Sequence, residues 1–169
     1  MSSSYTDKKK YDVFLSFRGE DTRASFTSHL HASLQKAGIH DFRDDDSLKR
    51  GENIYTILQA IEDSRIAIII FSKKYADSRW CLQELEKIME CSKTKGQIVL
   101  PVFYDVDPSE VRHQTGEFGK GFQSLLSRVK EDHEFLESSM GVFPYEDIKW
   151  TESLREVASI AGFLVLNSR

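Results

Sequence analysis

The stretch Ile66-Ala67-Ile68-Ile69-Ile70-Phe71 contains no polar side chain. A strand with one wet face alternates apolar and polar residues. A short run without alternation is a strand covered on both faces, as in a parallel sheet between helices. This run therefore sets the fold class.

Upstream, Tyr11-Asp12-Val13-Phe14-Leu15-Ser16-Phe17 is short and rich in β-branched and aromatic residues, a first strand. A loop over 18–23 follows. Phe26, Leu30, Leu34 and Ala37 then recur at helical spacing, with Gly38 where a C-terminal cap belongs. Residues 39–43 fit a second, short strand, and 44–53 (DDDSLKRGEN) a polar loop. Ile54, Ile57, Leu58 and Ile61 form the next helical face. Leu82, Leu85, Ile88 and Met89 form another, closed by Gly96. Residues 98–104 read as a strand whose Pro101 points to a strand end or a bulge. Beyond Asp107-Pro108 the pattern loosens. Phe118, Phe122, Leu125 and Leu126 fit a helix, 131–147 shows no clear pattern, and Trp150, Leu154, Val157, Ala158 and Ala161 fit a last helix. A fifth strand falls at 142–145 or at 163–166, and periodicity does not choose between them.

Strands alternating with helices imply right-handed crossovers and an open parallel sheet. For one domain of 169 residues the expected class is α/β, flavodoxin-like, with strand order 2-1-3-4-5. Such sheets carry function in loops beyond the carboxyl ends of the strands. That rule selects 18–23, 44–53 and 72–80.

Composition removes several classes. With 23 Lys and Arg against 27 Asp and Glu, the net charge is -4, which lacks the basic face of a nucleic-acid binder. The opening MSSSYTDKKK has no apolar core of a signal peptide, and no apolar run approaches a membrane span. Residues 1–10 read as a solvated tail, 11–166 as the folded domain, and 167–169 as the start of a linker toward further domains. Cys81 and Cys91 fall ten positions apart in one predicted helix, which argues against a bridge and for a reducing compartment, cytoplasm or nucleus. No Cys/His cluster has zinc spacing, so no metal is expected. There is no P-loop, GxGxxG, HExxH or GxSxG, and the five histidines are scattered. Asp44-Asp45-Asp46 invites a metal or phosphoacceptor reading. Receiver domains of this fold, however, carry the acceptor Asp at the end of the third strand, which here ends in Phe71-Ser72. A solvated turn is the better reading of the run.

Four stretches carry a family resemblance. YDVFLSFRGEDTR (11–23), the segment from Leu48-Lys49-Arg50-Gly51 to Ala60-Ile61-Glu62-Asp63-Ser64, SRWCLQEL (78–85) and PVFYDVDPSEVRHQTGEFG (101–119) occur in this order. Together they resemble the TIR (Toll/interleukin-1 receptor) domains at the N-termini of plant intracellular immune receptors. The resemblance runs from about 11 to 163 and is weakest over 131–148.

It implies two functions. Many plant TIR domains cleave NAD+ at the nicotinamide–ribose bond and release nucleotide signals; they also assemble with one another. The family's catalytic glutamate, in its WCLxEL motif, corresponds to Glu84. On bare sequence most helix glutamates are solvated surface; the motif reverses that weighting. The chemistry needs little apparatus. Nicotinamide departs as a neutral molecule, so no general acid is required. One carboxylate can stabilise the oxocarbenium-like ribose. Glu84→Ala is expected to end turnover and leave the fold intact.

The resemblance also implies that Phe17, Arg18 and Gly19 border the nucleotide pocket. Asp44 and 48–51, with Gly51, correspond to the mobile BB loop, and Ser78 and Trp80 flank the pocket. Each has a bland alternative: Phe17 and Trp80 as core, Arg18 paired with Glu20 or Asp21, Gly51 as a turn residue. Ser28-His29 matches a self-association motif that packs against the last helix of a second copy, around Trp150. Gly119, in GEFGKG, matches a second self-association region. The implied reading is an NAD+ glycohydrolase activated by self-association in plant innate immunity. It has no prosthetic group, takes NAD+ or NADP+ as substrate, and partners other TIR domains. The alternative is a scaffold that signals by assembly alone.

Overall fold

β3 (Ser64–Phe71) is the middle strand of a five-stranded sheet in the order β2-β1-β3-β4-β5. Every pairing is parallel. The computed structural model describes residues 9–43, 54–140 and 146–166. β1 (Tyr11–Phe17) pairs with β3 along its length and β2 (Asp41–Arg43) lies outside it. On the other flank come β4 (Ile98–Tyr104) and β5 (Phe163–Val165). The fifth strand is thus the later of the two alternatives; 142–145 lies outside the described residues.

Strand alternation sorts the side chains between two cores. Val13, Leu15, Phe17, Ile68, Ile70 and Val102 pack with Phe26, Leu30 and Leu34 of α2 (Phe26–Lys36). Phe14, Ala67, Ile69, Phe71 and Phe103 face the larger core. That side is built from α3 (Ile54–Glu62), α4 (Arg79–Lys95), α5 (Pro108–His113), α6 (Gly116–Met140) and α7 (Glu146–Val157). Burial on both faces is why residues 66–71 of β3 could dispense with polar side chains.

Two expectations are corrected. Residues 18–23 are not a loop throughout: α1 (Gly19–Thr22) is a single turn of helix. Asp21 fastens it to the loop after β3, accepting from Ser72 Oγ and from the Lys74 amide at 2.9 Å. Pro101 marks neither a strand end nor a bulge, since it stands in continuous register opposite Ile69. A Cβ built on Gly162 would lie 2.2 Å from the Pro101 carbonyl oxygen, so that carbonyl faces the β5 side. In a parallel strand a residue's N–H and C=O face the same neighbour. The proline's missing N–H therefore falls on the β5 side, and β5 pairs only from Val102 onward. The ladder to β3 loses nothing. In 131–147, which had no readable pattern, α6 continues to Met140 and α7 begins at Glu146.

Candidate active site

α4 starts at a defined point. Ser78 is its N-cap, and its Oγ accepts from the Cys81 amide at 3.2 Å. The helix ends where Gly96 adopts φ +68°, a left-handed conformation that glycine takes without penalty. This phase turns Leu82, Leu85 and Ile88 into the core, all fully buried. Glu84 turns toward the carboxyl end of β1.

Glu84 is 2% exposed, so the reading of it as solvated surface is wrong for this fold. Ser16 Oγ, on β1, donates to Glu84 Oε1 at 2.8 Å. The same hydroxyl lies 2.8 Å from the hydroxyl of Tyr75, in the 3-10 turn Tyr75–Asp77. Tyr75 in turn donates to the Cys81 carbonyl at 3.1 Å. Ser16 and Tyr75 are both fully buried. Burial pushes the Tyr75 phenol well above its ordinary range, with Cys81 and Glu84 pushing the same way and the Ser16 bond opposing. Tyr75 is a permanent proton donor here, not a phenolate. The Cys81 thiol donates to the Phe17 carbonyl at 3.5 Å, a second tie between α4 and the end of β1.

The structure brings some sequence candidates to this place and gives others different surroundings. Ser78 is buried and caps α4. Trp80 is half-buried and packs against the larger core. Phe17 is 3% exposed, a member of the smaller core, with the Arg23 guanidinium 4.9 Å from its ring centre. Gly19 opens α1. Arg18 pairs with Glu20 at 3.0 Å, the bland alternative noted above. Asp44 and Gly51, with the rest of 48–51, lie outside the described residues.

The self-association candidates divide. His29 is exposed and Ser28 half-buried on α2. Trp150 is fully buried, so it reaches a second copy only through the helix that it anchors. Gly119 is buried, and a Cβ there would lie 2.2 Å from the Gln114 carbonyl oxygen. Its lack of a side chain answers a close backbone approach within one chain.

Ser16 and Tyr75 were not singled out in the sequence. The available signal was Ser16 itself, a hydroxyl set between the apolar Leu15 and Phe17 near the carboxyl end of β1. Tyr75 had none, because the turn that buries it has no periodicity.

A family model described as TIR domain matches residues 10–168. Disease resistance protein RPV1 of Vitis rotundifolia is 49% identical over 160 residues, covering 94% of this chain and 10% of that protein. TMV resistance protein N of Nicotiana glutinosa is 47% identical over 162 residues, covering 95% of this chain and 13% of that protein. The chain therefore spans about a tenth of the length of such relatives. Among solved structures, the TIR domains of the activated Roq1 resistosome, which directly recognises the pathogen effector XopQ, match with TM-score 0.74 and 46% identity, over 92% of this chain and 87% of that one.

Proposed function

The chain belongs to the TIR domain family, and from that premise we propose that it is an NAD+ glycohydrolase of plant innate immune signalling, switched on when copies self-associate. The observation that carries the reading is the burial of Glu84 at the carboxyl end of β1, fixed by Ser16. A carboxylate is seldom held out of water on a helix without a task. Here the task is electrostatic: as the nicotinamide–ribose bond breaks, the pair of bonding electrons leaves with the nicotinamide nitrogen. Positive charge then develops on the ribose, and Glu84 stabilises it. Water, or another nucleophile, completes the transfer. No prosthetic group takes part, and the substrate is NAD+ or NADP+.

Burial also sets a condition. A carboxyl 2% exposed meets a ribose only after its cover moves. That need fits a reaction turned on by assembly in the cytoplasm or nucleus. A second reading, a scaffold that signals by assembly alone, is favoured by the exposure of His29 on α2.

The test is chromatography of NAD+ and NADP+ incubated with artificially clustered protein, beside Glu84→Ala and Glu84→Gln. Nicotinamide from the wild type alone is the expected result. No nicotinamide from any of the three, with clustering verified, gives the scaffold reading.

A further inference from the structure

Three buried contacts run in series: Glu84 Oε1 to Ser16 Oγ at 2.8 Å, Ser16 Oγ to the Tyr75 hydroxyl at 2.8 Å, and that hydroxyl to the Cys81 carbonyl at 3.1 Å. Two hydroxyls bring two protons. A serine hydroxyl gives one proton and accepts through its lone pairs. When Glu84 is ionised, Ser16 must donate to it, and the Ser16–Tyr75 contact is then filled by the Tyr75 proton. The direction is Tyr75 to Ser16 to Glu84, with the Tyr75 proton turned to Ser16 in place of the Cys81 carbonyl. When Glu84 carries a proton, all three contacts fill in the reverse sense, and Tyr75 donates to the Cys81 carbonyl. The chain therefore senses the charge on the carboxyl.

We propose that Ser16 and Tyr75 are positioning residues for Glu84, a hydroxyl relay that aims its carboxylate and favours its ionised form for the reaction at the ribose. The proposal rests on the glycohydrolase reading. The relay is met by Ser16 from β1, by Tyr75 from the turn after β3, and by the Cys81 thiol and carbonyl from α4. Burial keeps the phenol protonated, so the relay always has its outer donor. A donor held against a carboxylate lowers the free energy of its charged form, and in a site shielded from water that effect is not diluted.

Two readouts test it on the 169-residue chain. One is turnover of NAD+ by clustered protein. The other is a carbon-13 NMR titration of glutamate carboxyls, with the Glu84 signal identified by its loss in Glu84→Gln. Ser16→Ala is expected to lower kcat about tenfold or more, the size of one hydrogen bond to a charge, with KM little changed. It also moves the ionisation of Glu84 to higher pH. Tyr75→Phe does both to a smaller degree, and adds nothing in the Ser16→Ala background, because it acts through Ser16. An unmoved Glu84 titration in Ser16→Ala, or fully additive effects of the two substitutions, overturns the relay. If Ser16→Ala does not fold, Tyr75→Phe, which removes one oxygen, decides by the same titration. A wild type that releases no nicotinamide ends the glycohydrolase reading, while the titration still decides the relay.

Discussion

Ser78 shows how one side chain can carry two readings. By resemblance it flanks a nucleotide pocket; in the fold its hydroxyl caps α4. Loss of an N-cap costs about 1 kcal/mol. Ser78→Ala is therefore expected to lower the unfolding free energy, measured by denaturant, by that amount, and Ser78→Thr to restore it. If Ser78→Thr restores stability but not NAD+ turnover, the hydroxyl serves the substrate as well as the helix. Glu84 calls for similar care. Ser16 donates to it, so Glu84→Ala strips a buried hydroxyl of its acceptor. Glu84→Gln keeps an acceptor in place and is the cleaner probe. Turnover is expected to vanish in both variants, with melting temperature lowered more in Glu84→Ala.

At the level of elements, the sequence was readable wherever one rule acted alone. The all-apolar run of β3, the helical spacing of Leu82, Leu85 and Ile88, and the glycines after α2 and α4 each told their element directly. α5 was missed although Asp107 caps it and Pro108 opens it, a standard helix start, because six residues leave no room for periodicity. Glu84 was legible only through its motif. Its burial depends on how α4 lies against β1, a tertiary fact that no local pattern encodes. Gly119 gives a prediction at this scale. Gly119→Ala must move the backbone at Gln114 and should cost about 2 kcal/mol or more, whereas His29→Glu should leave unfolding by denaturant nearly unchanged. A Gly119 variant that fails to assemble would therefore report a disturbed α5–α6 junction before it reports an interface. The contact between α3 and α4 is electrostatic at its rim. Glu62 lies 2.8 Å from Lys87 and 3.4 Å from Lys95. Its carboxyl is held below the ordinary 4.5 by the Lys87 hydrogen bond first, then by charge and the Lys95 bond, against the cost of burial. A depressed carboxyl stabilises the fold fully above its unfolded value and loses that contribution as pH falls through its folded value. Lys87→Met should thus cost under about 1 kcal/mol at neutral pH, and the gap from wild type should close as pH falls through the lowered Glu62 value. Urea unfolding at several pH values checks both.

For the whole molecule, the parallel sheet sends the ends of β1 and β3 to one edge, where Asp21 ties α1 to the turn beyond β3 and Glu84 meets Ser16. His29 lies on α2, across the sheet from α4. A charge at His29 that blocks assembly should slow NAD+ loss at high protein concentration with Glu84 untouched; undiminished loss would uncouple assembly from turnover. Among the described residues no helix is long and apolar enough to cross a membrane. β5 has a further consequence. It offers three residues to the sheet, two of them more than half exposed, while β3 is paired on both sides and covered on both faces. Free energies of local opening follow such burial. Amide protons of β5 should exchange with deuterated solvent long before those of β3 and β1, which wait for global unfolding. The molecule would then breathe at its outer edge on a fast clock, while the strand that carries Ser16 keeps the slowest one.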